Sequence, residues 1–388
     1  MAGIYVHIPF CRKACHYCNF HFSTSLQQTD AMVTAICKEA ELRRNYINEK
    51  VATLYFGGGT PSLLKIEDLI LKIENLRRLF MVDEDAEIIL EANPDDITIE
   101  KLNGWKACGI NRLSIGVQSF FDEDLLSMNR VHNAAQALNC IELAQQEGFN
   151  NISIDLIYGT PGLSDERLRQ NVKTAISLGI PHLSCYALTI EKGTALEKMI
   201  RNNKIKNIDA DRQSRQFELL MQWISEAGYE HYEISNFAKP GFRSKHNSSY
   251  WQGKSYLGLG PSAHSYNGAA RQWNIANNTL YIKSIEQGIL PFEIEHLTST
   301  QKLNEYIMTS LRTMEGLSLQ YTAENWNKDA VNELGKDSEK FLTNGLMHRK
   351  NEHLILTNKG KLFADGIASE MFIPETSNLA EKDQSLMM

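Results

Sequence analysis

Cys11, Cys15 and Cys18 bring three thiols together in the order C-x3-C-x2-C. Spacing this tight reads as a metal-ligand set rather than as buried packing. Structural zinc takes four closed ligands, commonly from paired C-x2-C units. The other four cysteines, Cys37, Cys108, Cys140 and Cys185, are isolated in the chain. Three thiolates without a fourth suit a [4Fe-4S] cluster, which leaves one iron open to a small molecule. His7, His16 and His21 lie nearby, but His7 sits in a strand pattern and reads as structural. Gly57-Gly58-Gly59-Thr60-Pro61 forms a second group, whose missing Cβ atoms let backbone groups approach a ligand. His246 beside Tyr250 and Trp251 is a third, pairing a metal-ligating imidazole with flat apolar faces. Taken alone, such a histidine is more often simply packed.

The elements that must position these groups follow from the hydrophobic pattern. Strands are expected at Ile4 to Ile8, Thr53 to Phe56, Glu87 to Ala92, Arg112 to Val117, Asn151 to Tyr158 and His182 to Leu188. Helix patterns near 28–48, 64–80, 98–107, 133–147 and 165–178 separate them, giving repeated βα units and a parallel sheet. In such sheets chemistry gathers at the carboxyl ends of strands. Those ends carry Cys11, the glycine run, Glu91-Ala92-Asn93-Pro94 and Gln118-Ser119, while Asp155 and Tyr186 lie within the last two strands. One shared site is expected. Residues 199–215 read as a solvated connector and 229–274 as strands and loops. A helical tail from about 298 to 372 includes a hairpin of Leu346 to Arg349 and His353 to Leu356, an order that fits a small winged-helix-like unit.

The chain has 388 residues, room for two or three domains. Its net charge of -7 argues against nucleic acid as a partner. No apolar run reaches the length of a membrane span, roughly 18 residues. The start of the chain shows neither a basic region nor a cleavage site, and seven cysteines without an export signal suit a reducing compartment. A cytoplasmic location is expected.

The cysteine spacing, with the aromatic Tyr17 before the third ligand, resembles the radical S-adenosylmethionine (SAM) superfamily. More of the chain resembles the oxygen-independent coproporphyrinogen III oxidase family within it. The matching segments are Tyr5 to Cys11, Phe56 to Ser62, Glu91 to Pro94, Gly116 to Phe120, Asn129-Arg130 and Asp155 to Gly159. The resemblance implies a [4Fe-4S] cluster on Cys11, Cys15 and Cys18, with SAM at the open iron. It also implies a SAM site lined by Tyr5, Tyr17, Gly58, Gly59, Thr60, Glu91, Gln118, Arg130 and Asp155. The implied fold is α/β, a partial (β/α)6 radical SAM barrel with a small, mainly helical, winged-helix-like C-terminal domain. The expected divisions are 1–228 for the barrel, 229–296 for a connecting segment, 297–373 for the C-terminal domain and 374–388 for a disordered tail.

Two departures redirect the functional expectation. Coproporphyrinogen oxidases of this type carry another cysteine two residues after the third ligand, where this chain has Phe20, and a substantial extension ahead of the motif, where only ten residues precede Cys11. Both features are similar instead to the HemW group of heme chaperones. Lys245-His246-Asn247-Ser248-Ser249-Tyr250-Trp251 resembles that group's H-N-x-x-Y-W heme motif. The resemblance implies heme as cargo at His246, Tyr250 and Trp251, with delivery to apo-hemoproteins such as respiratory-chain enzymes. Its further implications are an electron donor, peripheral membrane association, and a monomer or a heme- or cluster-dependent dimer. Porphyrinogen decarboxylation and another radical SAM reaction remain the alternatives. His264, in a neighbouring family-like segment, faces SAM, heme or protein and takes no assigned role.

Overall fold

The computed structural model describes residues 1–375. The expected tail therefore lies outside the described residues from 376 onward. All six expected strands form: β1 (Ala2–Ile8), β2 (Val51–Gly58), β3 (Val82–Ala92), β4 (Arg112–Gln118), β5 (Ile152–Tyr158) and β6 (His182–Ala187). They pair in parallel in chain order. The connecting helices are Thr29–Leu42, Ile66–Leu79, Ile99–Ala107, Ala134–Gln146 and Asp165–Ser177. Three of them start at side-chain caps, with Thr98, Asn133 and Ser164 each accepting a backbone N–H of the first turn.

Strand alternation divides the sheet into two chemistries. Leu90, Leu113, Ile115, Ile154, Leu156 and Leu183 join the apolar core. Their neighbours Glu91, Ser114, Gly116, Asp155 and Ser184 line a cavity on the other face. Register carries this polar row across the barrel, with Glu91 opposite Ser114, Ser114 opposite Ser153, and Asp155 opposite Ser184.

The sheet does not stop at six strands. β7 (Glu230–Glu233) and β8 (Asn236–Ala238) add antiparallel beyond β6. At the other edge β9 (Tyr256–Leu259) runs parallel to β1, followed by β10 (His264–Tyr266), β11 (Ala270–Asn274) and β12 (Phe292–His296) in antiparallel order. The result is one sheet of twelve strands. A second apolar core, between Leu303 and Ile373, supports β13 (Leu317–Ser318), β14 (Met347–Lys350) and β15 (His353–Leu356) in a small sheet ordered β13-β15-β14.

Residues 199–215 are exposed or half-buried throughout, as a solvated segment should be, but helices Ala195–Arg201 and Ala210–Glu226 occupy much of it. Asp209 caps the second helix. The buried Gln216 accepts the Gly159 N–H at 2.9 Å and donates to the Leu163 carbonyl at 3.1 Å, tying this helix to the end of β5. Within the segment itself, Gln213 donates to the Leu188 carbonyl at 3.0 Å. Among the described residues, no helix is long and apolar enough to cross a membrane.

Candidate functional site

The loop after β1 carries the three cysteines, all half-buried on one cavity of about 1030 Å³. Its conformation is held from outside. The Cys11 N–H donates to the Ser23 carbonyl at 3.0 Å, His16 Nδ1 meets the Ser127 carbonyl at 2.9 Å, and Asn129 Nδ2 donates to the Ala14 carbonyl at 2.7 Å. Asn129 adopts a left-handed backbone, φ 60°, which asparagine tolerates better than most residues. The turn therefore clamps the cysteine loop with Asn129 and aims the next residue, Arg130, into the cavity.

Strand ends supply the remaining walls. Tyr17, Gly58, Gly59, Thr60, Glu91, Gln118, Arg130 and Asp155 line the same cavity as the cysteines. Arg130 Nη1 lies 3.4 Å from the Cys15 sulfur, and its Nη2 donates to Asn93 Oδ1 at 2.8 Å and to the Gly116 carbonyl at 2.7 Å. Its Nε is buried without a hydrogen-bond partner among the described residues, leaving one donor of the guanidinium unspent there. The Thr60 hydroxyl approaches the Cys11 sulfur at 3.5 Å, and Glu91 accepts the Tyr55 hydroxyl at 2.7 Å and the Gly58 N–H at 3.1 Å. Burial pushes the Cys11 thiol up to about 11. Gln118 closes β4 at φ 68°, a strained backbone for a residue that is not glycine.

Among the described residues, no three His, Cys, Asp or Glu side chains gather as a single-ion site. The fit to a cluster therefore rests on the donor set and its cradle: three thiols on one wall, and Gly59 against the loop backbone. A Cβ on Gly59 would stand 2.6 Å from the Phe10 carbonyl oxygen and 2.8 Å from that of Ile8.

Tyr5 is placed differently. It lines a second hollow, of about 2040 Å³, along with His7, Tyr250, Trp251, Tyr256 and His264. The Asn19-Phe20 turn borders both hollows, and Phe20 is 68% exposed. Tyr250 and Trp251 reach this groove from helix Lys245–Trp251, which Ser244 caps. His246 lines neither hollow. Buried beneath β1 and β2, its Nδ1 pairs with the Thr53 hydroxyl at 2.7 Å and its Nε2 with the Tyr250 hydroxyl at 2.8 Å. Burial holds its imidazole down at about 3. With both nitrogens engaged, the ring anchors Tyr250, and the expected iron contact at His246 is not available in this conformation.

Known proteins share both halves of this layout. The radical SAM superfamily matches residues 5–175, and the HemN C-terminal domain matches 297–363. The heme chaperone HemW of Mycobacterium tuberculosis strain H37Rv is 36% identical over 94% of this chain and 93% of its own length. The chain belongs to the HemW family of radical SAM proteins. HemW of Bacillus subtilis is 33% identical over 95% of this chain and 98% of its own. The solved coproporphyrinogen III oxidase of Escherichia coli, a radical SAM enzyme, shares the fold at a TM-score of 0.83, with 24% identity over 96% of this chain and 90% of that one.

The radical SAM fold implies an iron–sulfur cluster and SAM, which together supply one-electron chemistry when bound. Roles missed in the sequence are that of Tyr55, on the cavity wall, as the partner of Glu91, and those of His16 and Asn129, outside the cavity, as clamps on the cysteine loop. Only the position of Asn129 beside Arg130, and its tolerance of positive φ, could have marked one of them.

Asp155 gives the cavity a pH dependence. Burial, then the nearby Glu91 charge, raises its carboxyl from the ordinary 3.8 to about 7, against an opposing Ser184 hydrogen bond. The folded chain thus holds this proton more tightly than the unfolded one. Its contribution to stability is full below pH 3.8 and is lost as pH rises through that window to about 7. In protein without added cofactors, Asp155→Asn should melt higher than wild type at about pH 8, with the gap closing towards about pH 4. A gap independent of pH would contradict this.

Proposed function

We propose that this chain binds heme in the 2040 Å³ groove and passes it to apo-hemoproteins such as respiratory-chain enzymes, with the cluster and SAM in the adjoining cavity. The observation that carries the reading is the Lys245–Trp251 helix, which turns Tyr250 and Trp251 onto a groove large enough for a macrocycle. Aromatic faces pack on a porphyrin. Relatives similar to nearly the whole chain carry the name heme chaperone, which supports the same conclusion.

In this reading residues 1–228 hold the cluster and SAM, 229–296 bring the motif helix and the floor of the groove, and 297–373 bring its opposite wall through Tyr306, Tyr321 and Trp326. Cys11, Cys15 and Cys18 ligate the cluster. Gly58, Gly59 and Thr60 receive the methionine end of SAM, and the free Nε of Arg130 offers a donor for a carboxylate. An electron donor reduces the cluster, and peripheral contact with a membrane brings the chain to its acceptors. The chain works in this reading as a monomer or as a heme- or cluster-dependent dimer.

The fold shared with coproporphyrinogen III oxidase keeps decarboxylation as the second reading. Phe20, bordering both hollows where that enzyme type is expected to have cysteine, favours the carrier. Gel-filtered protein mixed with hemin should retain one heme per chain with a Soret band shifted from that of free hemin. No retained heme, with carbon dioxide released from coproporphyrinogen III under anaerobic reducing conditions with SAM, would reverse the proposal.

A further inference from the structure

The groove contains imidazoles in different states. His7 is engaged at both nitrogens, with the Tyr5 hydroxyl at 3.2 Å and the His21 carbonyl at 2.8 Å. His21 Nε2 is taken by Asn278 Oδ1 at 2.7 Å. His264 and His353 differ, because both line the groove and neither ring has a hydrogen-bond partner among the described residues; of the two, His264 is the exposed one and the one that stands beside Trp273 on the strand leading to Tyr266. We propose that His264 is the axial ligand to the iron of the heme carried in this groove, an assignment that rests on the heme-carrier reading.

Its setting is that of a positioned ligand rather than a loose surface side chain. His264 opens β10, which is paired to β11 on one side and to β9 on the other. Opposite it stands Trp273, with ring centroids 6.3 Å apart and planes tilted by 31°. Two residues along the same strand face, Tyr266 sits opposite Tyr256 at 6.2 Å. Gly258 permits the tight approach of β9 to β10, since a Cβ there would stand 2.0 Å from the His264 carbonyl oxygen. The imidazole thus rises from a paired strand whose neighbouring rings, Tyr256 and Tyr266, line the same groove.

Charge and protonation agree with that role. Iron takes the neutral imidazole. Burial in the groove wall, then the Arg271 charge, lowers the His264 value from its ordinary 6.5, so the ring is unprotonated at neutral pH. Heme also carries two propionates. Lys254 lines the same groove with an ammonium that has no partner among the described residues, and Arg271 stands beside Glu305 on the wall. A flat, dianionic, iron-bearing ring complements this combination of aromatic floor, free imidazole and free cation. His246 cannot take the ligand's place without giving up its bonds to Thr53 and Tyr250.

The test is a hemin titration of the full chain followed by absorption, comparing wild type, His264→Ala, His264→Cys and His353→Ala. His353 lines the groove from β15 and is the control imidazole. His264→Ala should weaken retention at least about tenfold and move the Soret band, free imidazole should restore the wild-type spectrum, and His264→Cys should give a thiolate-ligated spectrum. Melting temperatures should stay near wild type, since the ring is on the surface. A wild-type chain that retains no heme overturns the carrier reading and this assignment with it. Wild type that binds heme, with His264→Ala unchanged in spectrum and affinity, overturns the assignment alone. So does loss of the spectrum in His353→Ala but not in His264→Ala.

Discussion

Cys15→Ala protein, reconstituted anaerobically with iron and sulfide, should show no visible cluster absorption and no reduced-cluster EPR signal, with iron content down at least about tenfold. The reason is local. Three thiols share one wall of the cavity, so removing one leaves a donor set too small for a cluster with one open iron. The fold should survive the change, because Arg130 keeps Asn93 and the Gly116 carbonyl when the Cys15 sulfur is gone. Unchanged far-UV circular dichroism therefore separates ligand loss from unfolding. Cys140→Ala provides the contrast, since that thiol is buried in helix Ala134–Gln146, away from the cavity, and its loss should leave iron content as in wild type. Full iron and sulfide in Cys15→Ala would sink the assignment.

Gly59→Val should be the most damaging single change to the cradle. The Cβ would meet three backbone atoms at 2.6 to 2.8 Å, the carbonyl oxygens of Phe10 and Ile8 and the nitrogen of Phe10. Backbone cannot swing aside as a flexible side chain can, so the end of β2 must separate from the strand that leads into Cys11. Overpacking of this kind costs about 1–3 kcal/mol. The displaced Cys11 should then also leave its 3.5 Å contact with Thr60. Expected results are a lower melting temperature and severely reduced cluster loading. Gly335→Ala, in helix Lys328–Thr343 with nothing within 4 Å of the added Cβ, should be neutral or mildly stabilising. A Gly59→Val protein that melts and loads like wild type would contradict the cradle.

How far the sequence reaches is clear from these residues. β1 to β6 were legible because each is a short apolar run followed by a helix period, and local pattern decides both. The strand-end residues were legible for the same reason, since parallel order brings Thr60, Glu91, Gln118 and Asp155 to one rim. The four-strand extension beyond β1 was not, because pairing β9 with β1 joins residues about 250 positions apart and no local signal records it. Tyr5, which β1 pairs with Gly258 of β9, lines the groove, while its ring packs against Tyr55 on the wall of the cysteine cavity, with centroids 5.8 Å apart. His246 was misleading for a related reason: its motif names the helix, while burial against Thr53, contributed by β2, decides where the ring points. Polar side chains that bond across the fold, such as Gln213 to the Leu188 carbonyl, look solvated in sequence for want of that partner.

Heme transfer tests the carrier function most directly. Cluster-loaded protein carrying one heme per chain is mixed with an apo-hemoprotein, and the acceptor's Soret band is followed against a control in which the same heme is supplied free with albumin as competitor. The account predicts that the acceptor fills from the heme-loaded chain despite the competitor, and that filling slows when Tyr250 and Trp251 are replaced by alanine. Heme that stays on the chain, or reaches the acceptor no better than free heme does, would contradict it.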